Sequence, residues 1–206
     1  MVRRYSIAIW LAAMAAGAFA EIIDRIAVTV GNRAITETDL DREIRITAFL
    51  NNQKPDFSTA NEHEAAERMV DQTLVRGELE ASRYLPPSAA ETDAALQEEK
   101  ARFGDDAAYR RALAEHGITE ADLKERLAWQ LTLLRFIDVR FRPGIQIGDD
   151  DIRKYFEEHV RSGSVDEHRA GIVQKLIGEA ADRQVEQWLR DSRRRTRIQY
   201  HEEVFR

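Results

Sequence analysis

The chain contains no cysteine, which excludes disulfides, thiolate metal sites and a cysteine nucleophile. Only four prolines and ten glycines are spread over its 206 residues, so neither a collagen-like nor a low-complexity chain fits. HExxH, GxSxG, Walker A and GxGxxG are all missing. The zincin, nucleophile-elbow, phosphate-loop and dinucleotide readings therefore have no foothold. The five histidines, His63, His116, His159, His168 and His201, are scattered. His63 and Glu67 lie one helical turn apart, but a surface pair is the ordinary reading, so neither a metal nor a cofactor is expected. The acidic run Asp149-Asp150-Asp151 is explained by the favourable charge at a helix start without invoking catalysis. No catalytic residue is assigned and the chain is read as a non-enzyme.

Charged residues make up 33% of the chain and apolar ones 43%, enough for a core, and many apolar residues are helix-favouring Ala, Leu and Ile. The first twenty residues read as a separate unit. Arg3 and Arg4 precede sixteen uncharged residues, Tyr5 to Ala20, which end Ala18-Phe19-Ala20. That is the layout of a secretory signal peptide cut between Ala20 and Glu21. The uncharged run is shorter than the roughly 20 residues a membrane span needs, so no stable membrane insertion is expected after cleavage. The mature chain would carry 29 basic against 37 acidic residues. Its net charge of −8 argues against a nucleic-acid partner. The reading is an exported, periplasmic protein.

In the mature part, Ile26, Val28 and Val30 alternate with Ala27 and Thr29, a strand with one buried face. Gly31-Asn32 supplies a tight turn, and Ala34-Ile35 runs back as a second short strand. Thr36 with Asp39 starts helix one, which ends near Leu50. Helix two is expected over 62–84, and Ser88 with Glu91 caps a third helix. Asp105 caps a fourth, and Gly117 is read as a left-handed helix stop. Thr119 with Asp122 opens a fifth helix reaching Phe141. Its second half is apolar all round, so it is expected to be central and largely covered. Asp149 is read as the cap of a short helix, 161–170 as a linker, and a long final helix follows from about Glu167. Ile198, Tyr200 and Val204 alternate as a terminal strand whose natural partner is the first hairpin. The fold class is mainly α, with a small N-terminal hairpin paired to a C-terminal strand.

Two surface features remain. Arg190, Arg193, Arg194, Arg195 and Arg197 cluster at the end of the last helix, where the dipole favours solvated arginines, the alternative being a patch for acidic lipid or an anionic partner. Helices around an over-apolar fifth helix could enclose an open groove for extended apolar segments. Phe49, Phe103, Trp129 and Phe136 are the candidate peptide-binding residues of that groove.

The order of segments resembles the SurA-type periplasmic chaperones. Ile23 to Asn32 followed by Ala34-Ile35-Thr36-Glu37-Thr38-Asp39-Leu40 is similar to their opening strand, turn and "ITxxDL" helix start. Phe103-Gly104 to Leu113 and His116-Gly117-Ile118-Thr119 to Leu123 resemble their "F…L…GIT…L" stretch. Ile137 to Pro143, then Ile147 to Ile152 with Tyr155-Phe156, is similar to the boundary before their first isomerase domain. Val185-Glu186-Gln187-Trp188-Leu189 to Ile198-Gln199-Tyr200 is similar to their returning helix and final strand. The resemblance implies a helical chaperone core over 21–160, completed by 171–206, that binds unfolded outer-membrane or envelope polypeptides. Parvulin domains of the family would sit where this chain has only 161–170, so the resemblance carries no isomerase activity over. An envelope scaffold with one dedicated partner is the alternative, and the short linker leaves both a monomer and a domain-swapped homodimer open.

Overall fold

Thr36 decides where the chain leaves sheet for helix. In the computed structural model, which describes residues 24–82 and 84–205, the Thr36 hydroxyl accepts the Asp39 N–H at 3.2 Å. The Asp39 carboxylate accepts the Thr36 N–H at 3.1 Å in return. This reciprocal cap satisfies two donors that a helix start would otherwise strand, and helix α1 follows as Glu37–Leu50. Before it, β1 (Ile26–Val30) and β2 (Arg33–Thr36) form an antiparallel hairpin that turns at Gly31, where φ is 62°. The expected signal cleavage point between Ala20 and Glu21 lies outside the described residues.

Four helices follow: α2 (Thr59–Ala81), α3 (Ala89–Ala101), α4 (Asp106–His116) and α5 (Glu120–Arg140). A single 3-10 turn, Arg142–Gly144, leads to α6 (Asp149–His159), α7 (Val165–Arg195) and strand β3 (Ile198–Tyr200). The protein is mainly helical, with a three-stranded antiparallel sheet in the order β2-β1-β3. Val28 pairs with Tyr200 and Val30 with Ile198, so the terminal strand joins the hairpin as expected, but it ends at Tyr200, and Val204, read as part of it, lies in the bend that follows. Gly117 ends α4 at φ 64°, also as expected.

Several boundaries differ from the sequence reading. Helix α2 begins three residues before Glu62 and ends three before Tyr84. Asp149 is the first residue of α6 rather than its cap; the Asp151 carboxylate accepts the Gly148 N–H at 3.0 Å instead. Residues 165–170 are not linker. Ser164 and Glu167 cap each other, at 3.0 and 3.4 Å, so α7 starts at Val165 and the joint shrinks to a few residues around Gly163. A capping box fixes a helix start wherever it occurs, and this one lies inside the stretch read as loop.

Three apolar clusters hold the body. The first joins the sheet to α1 and α2 through Val28, Val30, Ile35, Leu40, Ile44 and Val70, and is closed by Val204 and Phe205 after β3. The second gathers α1, α3, α4 and the first half of α5 around Phe49, Leu96, Tyr109, Leu113, Leu123 and Leu127. The third holds α2, the second half of α5 and α7 together around Val75, Phe136, Phe141 and Ala181, with Trp188 and Leu189 against them. The N-terminal part of α7 packs on α6, and the buried Ile152 and Ile172 belong to none of the three clusters.

Helix α5 is central and largely covered, as expected, with two exceptions. Leu134 is 59% and Val139 62% exposed. The residues of α5 that meet the neighbouring cores, Leu123, Leu127, Trp129 and Phe136, are buried, and the two exceptions fall on faces that no other helix reaches.

One polar clamp ties the end of α7 back to α2. The Arg193 Nε donates to Asp71 at 2.7 Å, and its two terminal nitrogens donate to the Glu67 carboxylate at 2.5 Å and the Glu67 carbonyl at 3.0 Å. The Tyr200 hydroxyl donates to the same Glu67 carboxylate. Burial disfavours the Arg193 charge, yet the two carboxylates outweigh it and hold its pKa above the ordinary value. Burial pushes the Tyr200 phenol up to about 12, with the Glu67 hydrogen bond adding to it. Arg190 and Arg194 of the same basic cluster pair along α7 with Glu186 and Asp191.

Candidate functional site

A cleft with two chambers runs between α2 and α5. Their stripes face each other at helical spacing: Met69, Thr73, Arg76 and Leu79 on α2, and Asp122, Glu125, Trp129 and Thr132 on α5. The first chamber, about 490 Å³, is walled on its other sides by Arg33 and Ile35 of β2 and by Arg42, Glu43 and Ile46 of α1. The second, about 330 Å³, is lined by Leu79, Pro86, Pro87, Ala128, Trp129 and Thr132. Arg76, Glu125 and Trp129 line both chambers and so mark the waist between them.

The floor of the first chamber is charged but internally matched. Glu43 is 7% exposed. Its carboxylate is paired with Arg126, lies 3.6 Å from the Arg68 Nε, and accepts from the Thr47 hydroxyl at 3.3 Å. A buried carboxylate requires such partners, because removing either guanidinium would leave charge uncompensated in the interior. Arg42 lies 3.6 Å from Asp122. The Asp122 carboxyl sits below its ordinary pKa, held there mainly by the Thr119 hydroxyl, with the Thr119 N–H and Arg42 contributing. Arg33 pairs with Glu80.

The waist is different. The Arg76 guanidinium lies 4.2 Å above the Trp129 ring, a cation–π contact. It forms none of the ion pairs found among the described residues. Its pKa is lowered, first by burial in the cleft and also by Arg33, against the pull of Glu125. Trp129 itself is only 7% exposed, so its ring forms the cleft wall with Arg76 laid over it.

Of the four candidate peptide-binding residues, only Trp129 reaches the cleft. Phe49 and Phe136 are 4% and 0% exposed and sit inside the second and third clusters. Phe103 is partly buried and stacks on Phe49 with ring centroids 5.6 Å apart. These three aromatics join helices to each other rather than line an open groove. Large rings contribute most where they are removed from water, and periodicity alone does not say which helix will cover them. Sequence reasoning missed Arg76, Glu125, Thr132 and the Pro86-Pro87 wall. The available signal was the pair of stripes with a spacing of three to four on α2 and α5.

Among the described residues, no group of three His, Asp or Glu side chains is placed to hold a metal ion. No described helix is long and apolar enough to cross a membrane. No family model and no curated protein matches the chain.

Proposed function

We propose that this chain is a periplasmic chaperone that holds extended segments of unfolded outer-membrane or envelope polypeptides and has no isomerase activity of its own. The observation that carries the reading is the two-chamber cleft between α2 and α5. Both chambers are open to solvent, and they meet at Trp129. A small-molecule pocket encloses most of its ligand, whereas an open trough with one polar, charged chamber and one mainly apolar chamber suits a strand-like segment passing through. Leu79, Ala128 and the two prolines would meet its apolar side chains. Gln72, Thr73 and Thr132 would meet its backbone.

The export-type leader and the resemblance to SurA-type chaperones support the compartment and the client class. The short joint around Gly163 supports the absence of a separate isomerase domain, since a loop of this size holds no second core.

The test is suppression of aggregation. An unfolded outer-membrane protein is diluted out of urea with the mature chain at several-fold excess, and light scattering is followed. Delayed scattering is expected, and an unchanged time course would refute the reading. Turnover of a proline peptide would refute the non-enzymatic part. Recovery of one stoichiometric partner from periplasm, in place of many substoichiometric ones, would favour a dedicated scaffold.

A further inference from the structure

The Arg76–Trp129 waist does not fit a purely apolar groove. Every other arginine that lines the first chamber has a carboxylate: Arg33 has Glu80, Arg42 has Asp122 and Arg126 has Glu43. Arg76 has the indole of Trp129 beneath it and no carboxylate at ion-pair distance among the described residues. Glu125, across the same waist, is likewise absent from the ion pairs, so the two charges face the cleft without closing it. A cation–π contact to the indole uses none of the guanidinium's N–H groups as ion-pair donors, which leaves its fork able to take a carboxylate with two hydrogen bonds. Arg76 feels Glu125 and Glu80 only beyond ion-pair distance, so a carboxylate arriving within hydrogen-bond reach adds stabilisation that neither of them supplies.

Resting on the peptide-holding reading above, we infer that the waist is a selectivity point for a carboxylate on the bound segment. The preferred segment has an Asp or Glu side chain at the waist and apolar residues next to it, the latter entering the chamber of Leu79, Pro86 and Pro87. The chain as a whole carries a net charge of −6, so general electrostatics disfavours acidic segments, and a preference for them would have to arise at this point. Glu125 limits the choice further, because it repels a second acid beside the first and accepts a Lys, Arg or backbone N–H.

The experiment uses the full mature chain and fluorescein-labelled unstructured peptides of twelve residues. They are identical apart from one central position, Glu, Gln or Lys, flanked by leucines. Binding is read by anisotropy at low and high salt. The Glu peptide is expected to bind about fivefold tighter than the Gln peptide, the size of one half-exposed ion pair. The gap should narrow in high salt. Arg76→Gln should abolish the preference, and Arg76→Lys should retain only part of it, because an ammonium neither lies flat on the indole nor offers a fork. Arg110→Gln, which removes an exposed pair with Asp106 on α4, should leave it intact.

Equal affinities for the Glu and Gln peptides would overturn the carboxylate point while leaving peptide holding in place. The same preference in Arg76→Gln would overturn the assignment to Arg76. If no peptide binds yet aggregation of the unfolded client is suppressed, the cleft is not the site and the proposal fails alone. If neither occurs, both readings fail together.

Discussion

Replacing Phe136 by alanine tests how the body is assembled. The ring is fully buried, and three other rings surround it at centroid distances of 5.5 Å: Tyr84, Phe141 and Trp188. These belong to the segment after α2, the turn after α5, and α7, so one side chain joins three parts of the chain. Core Phe→Ala substitutions cost about 3–5 kcal/mol, the lost transfer free energy plus the cavity left behind. Edge-on ring contacts add about 0.5–1.5 kcal/mol per pair beyond area burial. A loss of about 4 kcal/mol is therefore expected, the middle of the Phe→Ala range. For a domain of this size that lowers Tm by roughly 8–16 °C. The assay is urea unfolding followed by circular dichroism, beside Leu134→Ala two residues away. Leu134 is 59% exposed, and its truncation should stay within about 0.5 kcal/mol. The folded fraction of Phe136→Ala should still hold client, because the ring lines neither chamber. Equal stability of the two variants would refute the reasoning, since it would mean that α7 does not close a core against α5.

Four further outcomes follow from the geometry. Gly117→Ala places a Cβ at φ 64° and 2.8 Å from the Arg45 Nη1, and thermal unfolding should show a loss of about 1–2 kcal/mol from the left-handed backbone alone. Arg193→Met leaves Asp71 and Glu67 without their shared cation, and a loss of about 1–2 kcal/mol is expected in urea unfolding, the carboxylates being partly exposed. The Ser88 hydroxyl and N–H, with Arg135, hold the Glu91 carboxyl down to about 2. Its folded pKa lies below the ordinary 4.5, so its support for the α3 start is present above that value and lost as pH falls toward 2. A carboxyl NMR titration should show this late midpoint, and a midpoint near 4.5 would refute the cap. Tyr200 behaves in the opposite sense, because its folded pKa is raised to about 12. The stability it contributes is present below pH 10 and lost as pH rises toward 12, an alkaline loss that Tyr200→Phe should remove.

What the sequence could reveal depended on how local the cause was. The starts of α1, α3 and α5 are legible because Thr36, Ser88 and Thr119 each meet a carboxylate three residues on, and the bond is made within one turn. Helix α2 was placed late because Ser58 makes no side-chain capping bond and Thr59 to Asn61 look like loop. Gly117 was legible because a left-handed backbone position calls for glycine regardless of tertiary context. The cleft was not legible, and the reason is non-local. Trp129, Phe136 and Phe49 have similar surroundings in sequence, and only the path of α2, α4 and α7 decides which ring is sealed. Leu134 and Val139 show the reverse case, apolar residues that no helix arrives to cover. The pairing of β3 with β1 was anticipated from alternation and an open edge, since an unpaired strand needs a partner.

That pairing bears on the order in which the chain can finish folding. A polypeptide leaves a ribosome or a pore from its N-terminus, so β1 is available almost from the outset with β2 as its only neighbour. Its second neighbour lies about 170 residues later: Val28 waits for Tyr200, and the first apolar cluster waits for Val204 and Phe205. Contacts this distant in sequence form late and slowly. The hairpin therefore stays half-built for the whole time the helices are being delivered, and the second and third clusters can close before residues 198–205 arrive to seal the first.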